Sequence, residues 1–139
     1  MDISETDSAV DKVDYMSKYL NKKTEVDGIL FASRKEAKYY LYLKTLEKTG
    51  EIQNLRRQVS YEIIPAVYRE ETKQLKTKIK TITKCVQQAA HYIADFVYDL
   101  PNGETVVVDV KSEITRNNAV YRLKKKMMLA FNGIEIKEV

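Results

Sequence analysis

Two carboxylates and a lysine stand in the most apolar part of this chain. Asp95 lies in Ala94-Asp95-Phe96-Val97-Tyr98, and Asp109 and Lys111 lie in Val106-Val107-Val108-Asp109-Val110-Lys111. Side chains alternate along a strand, so Asp109 and Lys111 share a face. A charge set in a valine-rich strand is costly unless it is paired or bound. Between the two runs, Leu100-Pro101-Asn102-Gly103-Glu104 spells a three-residue hairpin loop. Pro101 and Asn102 suit a type I turn, and Gly103 supplies the left-handed residue of a G1 bulge. With Leu100 opposite Glu104, Asp95 falls opposite Asp109 on the same face. Opposed like charges destabilise a sheet, and a divalent cation between them would remove the repulsion. A two-residue loop would turn Asp95 to the other face, so this expectation rests on the turn.

The rest of the composition narrows the chemistry. The chain has 139 residues, enough for one domain with a sizeable core. One cysteine, Cys85, leaves no internal disulfide and no cysteine-rich zinc site, and one histidine, His91, argues against a two-histidine metal site or a Ser-His hydrolase. Catalysis, if there is any, falls to carboxylates, lysines and a metal. No apolar run approaches membrane-spanning length, and the polar, acidic start does not read as a signal peptide, so a cytoplasmic protein with no membrane partner is expected. Asp2, Glu5, Asp7, Asp11 and Asp14 against Lys12 give residues 1–14 a balance of −4; the chain totals +4, so the remainder carries +8. A basic body suits a polyanion, with nucleic acid the first candidate.

The elements that must hold these groups can be read in outline. Residues 1–22 form an acidic arm or short helix, with Val13, Met16, Tyr19 and Leu20 at helical spacing. Residues 23–139 form the body. Ser33-Arg34-Lys35-Glu36 is a capping-box signature that opens a helix, closed by Gly50. On this pattern alone Glu36 need only complete the box. Residues 58–67 read as a strand, with Gln58 at its start as a subsidiary site candidate. Residues 69–84, rich in lysine and threonine, read as an exposed strand or hairpin arm. Residues 86–98 and 105–111 are the central strands, 118–131 a helix, and 134–139 a closing strand. The expected fold class is α/β, a mixed central sheet flanked by helices in the order α-β-β-β-α-β.

Four segments in this order resemble the PD-(D/E)XK nuclease superfamily, and within it the small phage-encoded proteins of the Holliday-junction-resolvase and restriction-endonuclease-like kind. Phe31-Ala32-Ser33-Arg34-Lys35-Glu36-Ala37 is similar to the first-helix signature, and Leu55-Arg56-Arg57-Gln58 to the segment leading into the first strand. Tyr92-Ile93-Ala94-Asp95-Phe96 stands where the family has Pro-Asp, with alanine for the proline, and Val108-Asp109-Val110-Lys111 stands for (D/E)XK.

The resemblance implies a restriction-endonuclease-like core and Mg²⁺-dependent DNA cleavage, with Mn²⁺ able to substitute. Glu36, Asp95, Asp109 and Lys111 would be catalytic. Asp95, Asp109, the Val110 carbonyl and Glu36 would be the metal ligands. The cations around the second helix, Arg116, Arg122, Lys124, Lys125 and Lys126, would meet phosphates, and Tyr121 would stack or touch the backbone. The expected substrate is branched or structured DNA, met during phage recombination or packaging in a bacterial host, and the expected enzyme is a homodimer. A recombination exonuclease, a nicking nuclease, and a non-catalytic DNA- or protein-binding module on a nuclease fold are the alternatives.

Overall fold

Gly50 and Gly103 end their segments where the sequence puts them. The computed structural model describes residues 23–139, so the expected N-terminal arm over residues 1–22 lies outside the described residues. Helix α1 spans Arg34–Thr49; the Ser33 hydroxyl accepts the Glu36 N–H, and Gly50, at φ 81°, donates to the Leu46 and Glu47 carbonyls. Strands β6 (Ala90–Asp99) and β7 (Thr105–Asp109) are joined by the expected loop. Leu100 N–H donates to the Glu104 carbonyl at 2.8 Å, Gly103 N–H to the Leu100 carbonyl at 2.9 Å, and Gly103 has φ 92°. Phe96 pairs with Val108 and Val97 with Val107, the register that the loop demands.

The chain is mixed α/β. A short hairpin of β1 (Thr24–Val26) and β2 (Ile29–Phe31) precedes α1. The central sheet has the order β3-β6-β7-β8, with β3 at Gln53–Ile64 and β8 at Lys137–Glu138. Its first two pairings are antiparallel and the last is parallel, so the sheet is mixed. Strands β4 (Val67–Gln74) and β5 (Ile79–Gln87) pair only with each other. After β7 come a single turn, α2 (Glu113–Arg116), and helix α3 (Ala119–Asn132). The expected succession of helix, strands, helix and closing strand is present, with the β4–β5 hairpin set into it. Among the described residues no helix is long and apolar enough to cross a membrane.

Each face of the sheet has its own core. Ala37, Tyr40 and Leu43 of α1 pack with Phe96, Tyr98 and Val108, together with Phe31 from the first hairpin. Tyr121 and Met128 of α3 pack with Val97 and Val107 on the other side. Tyr92 and Ala94 also belong to the α3 side. Strict alternation would put them with Phe96, so the two-residue period breaks between Ala94 and Phe96, at Asp95.

Several expected boundaries move. The first strand begins at Gln53 rather than at residue 58, because a polar run with Asn54 at φ 54° still pairs with β6. Val86 and Gln87 end the outer hairpin instead of opening β6. The closing strand shrinks to two residues, and α2, capped by Ser112, was not expected.

Candidate active site

The register brings Asp95 to the edge of the β6–β7 ladder, which ends at Phe96 and Val108. One step beyond, the Asp95 side chain replaces the missing rung: its Oδ2 accepts the Val110 N–H at 2.8 Å. Asp109 is the last residue of β7 and only 1% exposed. Tyr92 donates its hydroxyl to Asp109 Oδ2 in a short hydrogen bond. Lys111 Nζ lies 3.2 Å from Asp109 Oδ1, in keeping with the shared face, and 5.0 Å from the centre of the Tyr121 ring. Oδ1 has no hydrogen-bond partner among the described residues.

Glu36 reaches the same place from α1. It is 5% exposed, and its backbone N–H completes the Ser33 half of the capping box at 3.1 Å. Its carboxylate meets Gln58, whose Nε2 lies 3.4 Å from Glu36 Oε1 and 3.4 Å from Asp95 Oδ1. Gln58 falls opposite Asp95, between the rungs Arg57–Phe96 and Val59–Ala94. It adopts φ 49°, a left-handed conformation inside a strand. Such strain persists only where its surroundings hold it, and it clusters at functional sites. The subsidiary candidate thus sits between two principal ones. Glu36, Asp95, Val110 and Lys111 line one cleft of about 200 Å³, closed on one side by Ser33 and Lys35 and on another by Ser112 and Thr115. Lys35 Nζ donates to the Lys111 carbonyl at 2.9 Å, tying α1 to the segment after β7.

Burial dominates the electrostatics. It pushes the Asp109 carboxyl up to about 7, helped by the hydrogen bond its protonated form makes with Asp95 and by the Asp95 charge; Tyr92 and Lys111 oppose the rise. Burial also raises Glu36, against the pull of Arg57. Asp95 thus adds to what burial does at Asp109, and a cation between the two would relieve the charge. The Tyr92 hydroxyl is driven far above its ordinary range by burial and by its bond to Asp109, so it stays a donor.

Tyr92 and Arg57 are the neighbours that pattern reading missed. Arg57 lies 4.5 Å over the Phe31 ring, and its Nε has no hydrogen-bond partner among the described residues. Both stand in the quoted motif segments, but strict alternation gave no reason to turn Tyr92 toward Asp109.

The expected phosphate-binding residues are less uniform than their spacing suggests. Arg122 and Lys126 are exposed, and Lys124 is partly buried. Arg116 Nε lies 3.4 Å from Glu138 Oε2, and Lys125 hydrogen-bonds Glu138 Oε1. Glu138 is held below its usual range, chiefly by that Lys125 bond. Tyr121 is 8% exposed and belongs to the core. Its ring supports Lys111 instead of offering a face to a base, because α3 turns its apolar stripe to the sheet.

Among the described residues, no three His, Cys, Asp or Glu side chains gather closely enough to hold a metal by themselves. Mg²⁺ asks for less: one or two carboxylates, with waters and substrate phosphates filling the octahedron. Asp109 Oδ1, which has the Lys111 ammonium at 3.2 Å, and Asp95 Oδ1, which has a long contact from Gln58, are the oxygens that could serve that need.

Gln58→Gly tests the strained position. Glycine adopts positive φ without a Cβ clash, so stability is expected to hold or rise by up to about 1 kcal/mol. Any activity of the cleft is expected to fall about 10–100-fold, the usual cost of losing a group that orients ligands. Urea unfolding read beside an activity assay checks both. A parallel fall in stability and activity would make Gln58 merely structural.

The fold and cleft define a mixed α/β protein with one buried and one half-buried aspartate and a lysine at a sheet edge. The chain belongs to the DUF1064 family, described as a protein of unknown function, which it matches over residues 16–137. No curated protein and no solved structure matches it.

Proposed function

We propose that this protein is a metal-dependent DNA endonuclease that hydrolyses phosphodiester bonds in branched or otherwise structured DNA, with the mixed sheet as a restriction-endonuclease-like core. One observation carries the reading: Glu36, Asp95 and Lys111, from three separate parts of the chain, line one cleft, with Gln58 between Glu36 and Asp95 and the buried Asp109 against Lys111. Packing alone requires no such convergence, and burying charge there is costly.

Asp95 and Asp109 would hold Mg²⁺, or Mn²⁺ in its stead, with the Val110 carbonyl and Glu36 completing the protein's share. The chemistry supplied by the bound cation would be Lewis-acid polarisation of the phosphoryl group and a lowered pKa for bound water. Asp95 bridges to the Val110 amide and so fixes the backbone beside the cation site. Lys111, steadied by Asp109 and the Tyr121 ring, would orient the attacking water or balance charge growing on the phosphate. Arg122, Lys124 and Lys126, with Arg116 and Lys125 once released from Glu138, would meet the backbone and set position rather than sequence. Two strands related by symmetry call for two such sites, hence a homodimer. A phage protein working in the host cytoplasm fits this reading.

A non-catalytic DNA-binding module is the second reading. It is favoured by the engagement of Asp109 with both Tyr92 and Lys111. Incubation with a labelled four-way junction, a flap and a plain duplex, in Mg²⁺, Mn²⁺ or EDTA, separates the two. Cleavage that needs the metal and favours the branched substrates is the expected result. Tight binding without cleavage in either metal would overturn the nuclease reading.

A further inference from the structure

The two strands that carry Gln58 and Asp95 run on beyond the body. β3 continues through Pro65 and Ala66 into β4, and β5 leads through Gln88 and Ala89 into β6. The pairing slips by one residue between Glu62 and Ile64 and slips back between Val67 and Tyr68, so arm and body share one offset. Arg57 faces Phe96 and Arg69 faces Lys84, twelve residues on along one strand and twelve back along the other. The β4–β5 arm contributes to neither core, and of its strand residues only Ile82 is not fully exposed. With its turn it carries six cations against Glu70 and Glu71, a net charge equal to the +4 of the whole chain.

The charge is one-sided. Directly paired residues share a face, so Arg69 stands against Lys84 and Lys73 against Lys80, with Glu71 and Ile82 between them. Two directly opposed like-charge pairs weaken a hairpin. Glu71 approaches Lys84 at 3.9 Å; among the described residues no carboxylate pairs with Arg69, Lys73 or Lys80. The other face carries one charge, Glu70, among threonines and other uncharged residues. Lysines that merely guard an exposed strand against aggregation need not face one another. Nor does a second copy suit this face, since two cationic stripes repel. A polyanion relieves the repulsion.

We propose that the β4–β5 arm is a second DNA-binding element, with its Arg69/Lys84 and Lys73/Lys80 face laid along the phosphate backbone of duplex about one helical turn from the cleft. This rests on the nuclease reading for the DNA held at the cleft. Eleven residues separate Gln58 from Arg69, at most about 37 Å at roughly 3.4 Å per residue. A turn of B-form duplex is about 34–36 Å.

The test uses the full chain and the fourfold variant Arg69→Gln, Lys73→Gln, Lys80→Gln and Lys84→Gln. Binding to a 25-base-pair duplex is titrated in EDTA over a range of salt. Each lost phosphate contact removes about 0.9 from the slope of log K against log salt. A slope shallower by about 2–4, with affinity down at least about 30-fold at low salt, is expected. The same charge removed from Lys23, Lys38, Lys44 and Lys48 is expected to change the slope by less than about 1. An unchanged thermal midpoint shows that the arm variant is folded. Unaltered slope on the duplex, an equal loss from the control set, or no binding by the unmodified chain would each overturn the proposal. Cleavage in Mg²⁺ is read separately: an arm-dependent slope without cleavage sinks the nuclease reading alone, and cleavage with identical slopes sinks the arm alone.

Discussion

Asp109→Asn is expected to lower metal-dependent cleavage about 10³-fold while DNA affinity in EDTA stays within about twofold. Asparagine keeps the volume and can still accept the Tyr92 hydroxyl, so the core around it survives. What disappears is the charge that steadies Lys111 at 3.2 Å and that a divalent cation would require. Several kcal/mol of charge stabilisation are lost with a metal ligand, and each 1.4 kcal/mol is about tenfold in rate. Affinity is read by titration in EDTA and cleavage by single-turnover kinetics in Mg²⁺. A variant that cuts within tenfold of the unmodified protein would remove Asp109 from the chemistry. Tyr92→Phe, which leaves the carboxylate in place, is the milder comparison.

Metal-free protein is expected to lose stability as pH rises from about 4 to 7. The sign follows from protons bound. Asp109 is pushed up to about 7 in the folded chain, first by burial and then by Asp95, against an ordinary 3.8. Between those values the folded state holds the proton and the unfolded state has released it. Unfolding stability therefore falls with pH across that window. The favourable contribution is complete below about 4 and gone above about 7. The shift integrates to a ceiling of about 4 kcal/mol. Glu36 is raised by burial as well and adds to the same slope. Asp109→Asn is expected to remove most of the dependence and to be the more stable protein at pH 8. Urea midpoints in EDTA from pH 4 to 8 measure it. A flat profile in the unmodified chain would mean that Asp109 is solvated and ionised throughout.

Local rules made the site's frame legible. Ser33 and Gly50 bounded α1, and the Pro101-Asn102-Gly103 loop dictated the register that brings Asp95 beside Asp109. The misreadings arose where tertiary contacts override local pattern. Gln53–Arg57 is too polar to announce a strand, yet β6 supplies its pairing partner. Tyr121 looked like a ligand-facing aromatic because α3 is basic, but the helix buries that side chain against the sheet. Tyr92 turns to Asp109 because alternation breaks at Asp95, opposite the left-handed Gln58. Nothing in residue type predicts that break. The cation pairs of the arm were visible as composition, and their opposition required the register.

The offset that arm and body share, restored after two compensating bulges, bears on how the chain folds. The shortest loop joining the two halves of this ribbon is the turn between Gln74 and Ile79. Closure entropy rises with loop length, so a hairpin started there zips inward with each rung only slightly harder to close than the last. Once Glu62 meets His91, inside the second of two compensating bulges, the alignment of Gln58 with Asp95 follows. A slip of one residue at that distant turn would flip side chains to the wrong face. The outermost strands among the described residues thus act as the jig on which one edge of the cleft is aligned.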